Sequence, residues 1–177
     1  MFNNIFKDKQ VLITGHTGFK GAWLSIWLHE LGAKITGYAL APPTTPSLFE
    51  TCAISIRVDS TAGDVRNFEE LRKLIKSSKP EIVFHLAAQT IVRKSYKDSL
   101  ETYETNIMGT VNLLEACRDS VSVRVIVVVT SDKCYEIIDH NRGYKENDPI
   151  GGHDPYSSSK GCAELITAAY RKSYFNN

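Results

Sequence analysis

Residues 14–21 read TGHTGFKG and place Gly15, Gly18 and Gly21 at three-residue spacing. The apolar run QVLIT at residues 10–14 precedes them, and apolar residues recur at helical spacing over residues 18–31. Glycines between a buried strand and a helix let the backbone approach a pyrophosphate, whose charge the free N–H groups of the helix N-terminus stabilise. The stretch therefore predicts a phosphate-binding strand, turn and helix. A simple glycine-rich loop is the alternative.

The rest of the chain continues this alternation of strand and helix patterns. Strands are predicted at residues 34–40, 54–58, 82–86 and 123–129, and helices at residues 68–77, 99–119 and 156–174. Asn67 and Glu70 form a capping box at the start of the first of these helices. The β-branched residues of the last strand predict a central strand that is covered on both faces. Since βαβ connections are right-handed, the sequence predicts an α/β fold with a doubly wound parallel sheet.

Composition narrows the class of protein. The 177 residues allow one domain, and 42% hydrophobic with 23% charged residues is typical of a globular chain. A formal net charge of +1 argues against a nucleic-acid or anionic-membrane surface, because such partners are held by concentrated positive charge. Four cysteines without a C-x-x-C pair indicate reduced thiols and no zinc site. With no signal peptide and no long apolar run in the sequence, we expect a cytoplasmic protein.

The sequence stops before the last strand expected of this fold type, so we expect either the N-terminal part of a longer protein or a protein that functions with half a cleft. We expect at least one further strand and a substrate-binding region beyond residue 177. The 177 residues then form a dinucleotide-binding domain that carries the catalytic pair described below. We expect this part alone to bind cofactor without turning over substrate.

Two segments at the ends of predicted strands are candidates for cofactor contacts. Gly63-Asp64-Val65 follows the third strand, where the Asp64 carboxylate could accept a hydrogen bond from an adenine amino group; a turn residue is the alternative. His85 to Gln89 reads HLAAQ, and its small residues Ala87 and Ala88 leave room for a flat ligand at the carboxyl edge of the sheet. Ordinary tight packing explains the two alanines equally well.

The strongest catalytic signal lies near the end of the chain. Tyr156 and Lys160 stand four residues apart on one helical face. An ammonium in this position stabilises the ionised phenol, so the tyrosine can act as a base near neutral pH. Ser131 ends the fifth predicted strand, and its hydroxyl could bond to the same phenol.

Together these motifs resemble the extended short-chain dehydrogenase/reductase family, over nearly the whole chain and in the right order. The resemblance implies that thirteen residues contact the cofactor: Gly15, Thr17, Gly18, Phe19, Gly21, Asp64, Val65, Leu86, Ala87, Ala88, Asn106, Tyr156 and Lys160.

Within this family, the segments 16–21, 130–135 and 152–156 are most similar to the 4,6-dehydratases of CDP-sugars. Lys133 stands where dehydratases of dTDP- or GDP-sugars usually carry Glu. The resemblance implies catalytic roles for Ser131, Asp132, Lys133, Tyr156 and Lys160. It implies substrate contacts for His16, Gln89, Ser131 and Lys133, with His16 also a candidate helper of Lys133; a plain loop residue is the alternative for His16.

The type of dinucleotide is left open by the residues alone. NAD-selective turns usually place an acid at the end of the second strand, but this chain reads Tyr38-Ala39-Leu40 there and has no acid until Glu50. Arg57 and Arg66 could meet the 2′-phosphate of NADP. The resemblance implies NAD.

Two other functions are compatible with parts of the pattern. A nucleotide-sugar 4-epimerase needs Tyr156, Lys160 and Ser131 but has no use for Asp132 and Lys133. A non-catalytic cofactor-sensing module needs only the glycine turn.

Apolar residues on more than one face of the helices at 99–119 and 156–174 predict a homodimer through them; burial by a missing C-terminal half is the alternative.

Overall fold

The computed structural model describes residues 2–137 and 142–175. Five parallel strands form one sheet in the order β3-β2-β1-β4-β5. Their bounds are Gln10–Thr14 (β1), Lys34–Ala39 (β2), Asp59–Ala62 (β3), Ile82–His85 (β4) and Val125–Val128 (β5). The order reverses at β1, which confirms the doubly wound α/β sheet.

In the part of the chain that the structure describes, seven α-helices connect and cover these strands. They are α1 (Phe19–Glu30), α2 (Leu48–Thr51), α3 (Phe68–Ser78), α4 (Val92–Lys97), α5 (Ser99–Tyr103), α6 (Gly109–Arg118) and α7 (Pro155–Tyr174). A π-helical segment, Glu104–Met108, joins α5 to α6, so the single helix predicted at residues 99–119 contains an irregular turn that the sequence pattern did not reveal. The predicted cap of α3 is present, since Asn67 accepts from the backbone N–H of Glu70.

The core consists of two clusters, one on each face of the sheet. Leu12 and Val83 face α3 and α6 on one side, while Val11, Ile13 and Ile35 face α1 on the other. Side chains alternate between the faces because the strand repeat is two residues. Both faces of the central strands are therefore buried, and their carboxyl ends remain available at one edge.

The third predicted strand, at residues 54–58, is wrong. Ile54–Ile56 forms a 3-10 turn, and the strand follows it at Asp59–Ala62. Ile54 and Val58 are buried as part of the α1 cluster, which explains their apolar character without a strand. The true strand is polar because it lies at the edge of the sheet, where most of its residues are exposed.

The fifth strand is present but is not central within the described residues. Val125 and Val127 are 48% and 38% exposed on the α1 side of the sheet, whereas Ile126 packs against the opposite cluster. A β-branched run indicates that a strand can be buried but does not specify its neighbours. In the described ranges, no helix combines the length and the apolar character needed to cross a membrane.

Candidate functional site

The carboxyl ends of four strands meet around the glycine turn. The N–H of Gly15 donates to the Tyr38 carbonyl at 2.9 Å, joining the ends of β1 and β2. The N–H of Leu86 donates to the Thr14 carbonyl at 3.1 Å, and the N–H of Val129 donates to the His85 carbonyl at 3.0 Å. These bonds bring the turn, the segment after β4 and the end of β5 to one edge of the sheet.

The turn itself has the geometry of a phosphate cradle. Gly15 has φ +76°, and a Cβ there would lie 2.7 Å from the backbone nitrogen of Ala87. A Cβ on Gly18 would meet a single heavy atom, the Gly15 carbonyl oxygen at 3.4 Å, so the space beside Gly18 is open. Gly18 is also the N-cap of α1 and has no side-chain capping bond, which leaves the N–H groups of the first turn free for an anion. This cradle fits the diphosphate of a dinucleotide.

The side chain of Thr17 ties the turn to the end of β2. Its hydroxyl donates to the Leu40 carbonyl at 2.9 Å. The two cations that could receive a 2′-phosphate are already engaged: Arg57 donates to the Cys52 carbonyl at 2.8 Å, and Arg66 pairs with Asp64 at 2.6 Å. The Arg66 guanidinium lowers the pKa of the Asp64 carboxyl, which stays ionised beside it. A 2′-phosphate bound here would have to compete with the Asp64 carboxylate for the Arg66 guanidinium.

Helix α7 reaches the same edge of the sheet through Lys160. Asp154 caps the helix by accepting from the N–H groups of Tyr156 and Ser157, both at 3.0 Å, which places Tyr156 in the first turn. Lys160 follows one turn later, is only 6% exposed, and donates from Nζ to the Val129 carbonyl at 3.3 Å. Burial and, secondly, the charge of Lys20 lower the pKa of Lys160 to about 8, while Glu164 opposes them. The Val129 N–H in turn donates to the His85 carbonyl, so Lys160 lies at the same edge of the sheet as the glycine turn.

The burial of Lys160 has a measurable cost. Its folded pKa of about 8 lies below the ordinary 10.5, so the charged form destabilises the fold at neutral pH. Replacing Lys160 with Met should raise the free energy of unfolding by about 1–3 kcal/mol near neutral pH. The gain should shrink as the pH rises from about 8 towards 10.5. Urea unfolding at both pH values measures it, and a variant less stable than its parent at neutral pH contradicts it.

Ser131, which follows β5 after two further residues, caps a 3-10 turn, Asp132–Cys134. Lys133 Nζ lies 3.3 Å from Asp132 Oδ2, and both side chains are largely exposed. Asp132 and Lys133 border a cavity of about 30 Å³ together with Ser157 of α7, next to Tyr156 in sequence. Ser131 Oγ accepts from the N–H of Lys133 at 3.1 Å, and no hydrogen bond joins Ser131 to the Tyr156 hydroxyl in the described part of the chain.

The structure does not support a substrate contact for His16. Its side chain is 0% exposed, its Nε2 lies 2.7 Å from Ser60 Oγ, and its ring packs edge-on against Phe49. Burial lowers its pKa to about 4, so the ring is neutral near pH 7. A histidine enclosed between the turn and β3 cannot help Lys133, so its role is structural, which corrects the expectation from the sequence.

Asn106 and Gln89 are also buried, and their side chains serve the scaffold. Asn106 accepts from the Gln89 N–H at 2.8 Å and donates to the Gln89 carbonyl at 3.0 Å and to Ser159 Oγ at 2.9 Å. The Gln89 side chain donates to Thr102 at 2.9 Å. Asn106 thereby connects the segment after β4 with the helix position next to Lys160. Its placement supports positioning of the site rather than direct contact with a ligand, and the same holds for Gln89.

A second buried network lies beneath the turn. His85 Nδ1 lies 2.7 Å from Thr14 Oγ1, and His85 Nε2 lies 3.2 Å from Thr110 Oγ1. Burial and the charge of Lys160 lower the pKa of His85 to about 3. His85 is therefore a neutral link between β1, β4 and α6. Sequence analysis did not assign it a role, because nothing local distinguishes a buried linking histidine from a reactive one.

Comparison with known proteins agrees with this geometry. The family model described as GDP-mannose 4,6 dehydratase matches residues 12–176. The chain is 55% identical to a CDP-glucose 4,6-dehydratase of Salmonella typhimurium over 98% of its own length and 48% of that protein. It is 30% identical to a dTDP-D-glucose 4,6-dehydratase of Dictyostelium discoideum over 94% of this chain and 41% of that one. The chain thus spans about half the length of these relatives.

Solved structures show the same architecture. A UDP-glucose 4-epimerase of Thermus thermophilus in complex with NAD superimposes with a TM-score of 0.80 at 28% identity, over 93% of this chain and 51% of that one. A dTDP-glucose 4,6-dehydratase double mutant of Streptomyces venezuelae, with NAD and DAU bound, has a TM-score of 0.80 at 24% identity, over 93% and 52% of the two chains. With the family model matching almost from end to end, the chain belongs to the GDP-mannose 4,6 dehydratase family, within the extended short-chain dehydrogenases/reductases.

Proposed function

We propose that the full-length protein is a CDP-glucose 4,6-dehydratase that uses tightly held NAD. The observation that carries this proposal is the 55% identity to a CDP-glucose 4,6-dehydratase across 98% of the chain. The glycine cradle and the buried Lys160 at one edge of the sheet support it. Because the chain spans about half of that relative, the proposed activity belongs to the longer protein. We infer that these 177 residues form its dinucleotide-binding domain.

The cradle at Gly15, Gly18 and Gly21 would hold the diphosphate of NAD, with Phe19 contributing a backbone N–H and Leu86 to Ala88 lining the adjoining segment. When bound, NAD supplies a hydride acceptor that is regenerated within one turnover. We infer NAD rather than NADP because Arg57 and Arg66 are already engaged by protein oxygens, so neither guanidinium is free for a 2′-phosphate. Mass spectrometry of the cofactor released on denaturation tests this, and NADP in that sample contradicts it.

In this mechanism Tyr156, as the phenolate, takes the proton of the sugar 4-hydroxyl while C4 loses its hydride. Lys160 stabilises the phenolate with the donors that Val129 does not use, since an ammonium carries three. Ser131 can orient the same hydroxyl from the cap of the turn that follows β5.

The ketone at C4 makes the C5 proton acidic, so water can be eliminated across C5 and C6. Lys133 first passes its proton to Asp132, 3.3 Å away, then removes the C5 proton as the neutral amine, while the protonated Asp132 protonates the departing 6-hydroxyl. The two groups lie 3.3 Å apart beside the cavity that Ser157 also borders, so one substrate carbon pair can face both. The hydride then returns to C6. A role for Lys133 in orienting the substrate without proton transfer is the alternative, and loss of C5 proton exchange in Lys133→Met distinguishes the two.

The structural likeness to a UDP-glucose 4-epimerase at 28% identity makes 4-epimerisation the second candidate. Incubating the full-length protein with CDP-glucose separates the two activities. A dehydratase gives a product lighter by one water with a base-labile 4-keto-6-deoxy chromophore, whereas an epimerase gives an isomer of equal mass. Parallel incubations with dTDP-, GDP- and UDP-glucose test the base, and a preference for any of these contradicts the proposal. Intact NAD binding with no turnover of any sugar would indicate a cofactor-sensing module.

We further infer a homodimer through α5, α6 and α7 in the cytoplasm. Leu100, Met108 and Leu165 are exposed on or beside these helices, on surfaces that a symmetric helix pairing could bury. All four cysteines, two of them buried, are free thiols, which suits a reducing compartment. Sedimentation of the full-length protein as a monomer at micromolar concentration would contradict the dimer, and cell fractionation tests the location.

A further inference from the structure

Two consecutive residues after β5 contact a single turn of α7. The Val129 carbonyl accepts from Lys160 Nζ, and the Thr130 hydroxyl donates to Glu164 Oε1. Lys160 and Glu164 are four residues apart and therefore lie on the same helical face. Ser131 comes next in the chain. The end of β5 thus contacts both members of a cation and carboxylate pair on α7.

The titratable groups that interact with Lys160 come from three elements. Glu164 lies on α7 itself, Lys20 comes from the first turn of α1, and His85, which is neutral, comes from the end of β4. Burial and Lys20 both favour loss of the Lys160 proton, and Glu164 favours its retention. Glu164 is therefore the carboxylate that offsets part of the cost of burying this ammonium, whose pKa still falls to about 8.

We propose that Glu164, held in place by the Thr130 hydroxyl, is a positioning residue that keeps the Lys160 ammonium charged where it donates to the Val129 carbonyl. This inference rests on the proposed function for its catalytic meaning, but the effect on Lys160 can be measured without turnover. Thr130 lies in the segment 130–135 that resembles CDP-sugar dehydratases, but no sequence motif pairs it with Glu164.

Removing the Glu164 carboxylate should lower the pKa of Lys160. Without the Glu164 carboxylate, burial and Lys20 act on Lys160 unopposed, so its pKa falls below about 8. Activity that requires the charged ammonium is lost as the pH rises through that pKa. Neutralising Glu164 should therefore move the alkaline limb of the pH profile of kcat to lower pH and leave the acid limb nearly unchanged.

Glu164→Gln is the main variant because it keeps the shape of the side chain and an oxygen that can accept from Thr130. The titration of Lys160 is followed by NMR of carbon-13-labelled lysine, with Lys160→Arg assigning the signal. We expect the midpoint to fall by about one pH unit. The matched control is Glu115→Gln, which removes a carboxylate that accepts from Tyr170 at 3.0 Å elsewhere between α6 and α7, and which should leave the midpoint unchanged.

Thr130→Val provides a second test that retains the carboxylate. Without the hydroxyl, Glu164 is free to turn towards solvent, so the midpoint should fall, by less than in Glu164→Gln. An unchanged midpoint in Glu164→Gln, or a rise in Thr130→Val, overturns the proposal. If the midpoint falls while the alkaline limb of kcat in the full-length enzyme stays in place, the positioning stands and the catalytic role of Lys160 is wrong.

Discussion

Tyr156→Phe should lower kcat of the full-length enzyme for CDP-glucose by a factor of about 10³. The change removes one oxygen, and with it the base that takes the proton from the sugar 4-hydroxyl in the proposed mechanism. The backbone N–H of Tyr156 still reaches the Asp154 cap, so α7 should begin as before. Product formation at saturating substrate measures kcat, and the cofactor released on denaturation shows whether the site still binds NAD.

Tyr170→Phe is the matched control for this experiment. Tyr170 lies on the same helix, and its hydroxyl donates to Glu115 at 3.0 Å, away from the crevice. We expect kcat to change by less than about twofold, in line with the small effects of changes outside a site. A Tyr156→Phe enzyme as active as this control would remove Tyr156 from the mechanism.

Alanine at two glycines of the same turn should separate folding from binding. A Cβ on Gly21 would overlap the Gly15 carbonyl oxygen and lie 2.8 Å from His16 Cα, where only backbone could yield. We expect Gly21→Ala to lower the free energy of unfolding by about 3 kcal/mol or more. A Cβ on Gly18 meets only one atom at 3.4 Å, and the φ of −75° suits alanine. Gly18→Ala should therefore stay within about 0.5 kcal/mol of the parent.

Although Gly18→Ala should leave the free energy of unfolding almost unchanged, it should weaken the binding of NAD. Its methyl group projects into the open space of the cradle, so a diphosphate can no longer approach the first turn of α1. We expect the Kd for NAD to rise by about tenfold or more, a cost of about 1.4 kcal/mol. Urea unfolding and titration calorimetry measure the two effects. Parent-like NAD affinity in Gly18→Ala would show that the turn is only a structural loop.

The elements that the sequence predicted well are those set by local chemistry. The run before Gly15, the periodic helix after Gly18 and the cap at Asn67 each contain their own signal, and β1, α1 and α3 appear where these signals place them. The errors concern tertiary neighbours. Ile54 is apolar because it lies beneath α1, and β5 is β-branched although it has one neighbour in the described sheet. No periodicity within a segment contains that information.

The same distinction between local and tertiary information applies to the residues of the site. The spacing of Tyr156 and Lys160 is visible in the sequence, but the anchor of Lys160 on the Val129 carbonyl depends on how α7 docks. Likewise His16 sits in the most informative motif of the chain, yet its ring turns into the core beneath Gly37. Residue type and spacing therefore identify the chemistry, while burial and docking decide which of the candidate groups can take part.

Isotope transfer offers the most direct test of the account as a whole. The full-length protein is given CDP-glucose deuterated at C4, in ordinary water and with no added cofactor. If one crevice holds both the dinucleotide and the phenolate, the deuterium removed from C4 should reappear at C6 of a 4-keto-6-deoxy product, with no net consumption of NAD. Deuterium that remains at C4 of an isomer of equal mass, or a product without deuterium, would contradict the account.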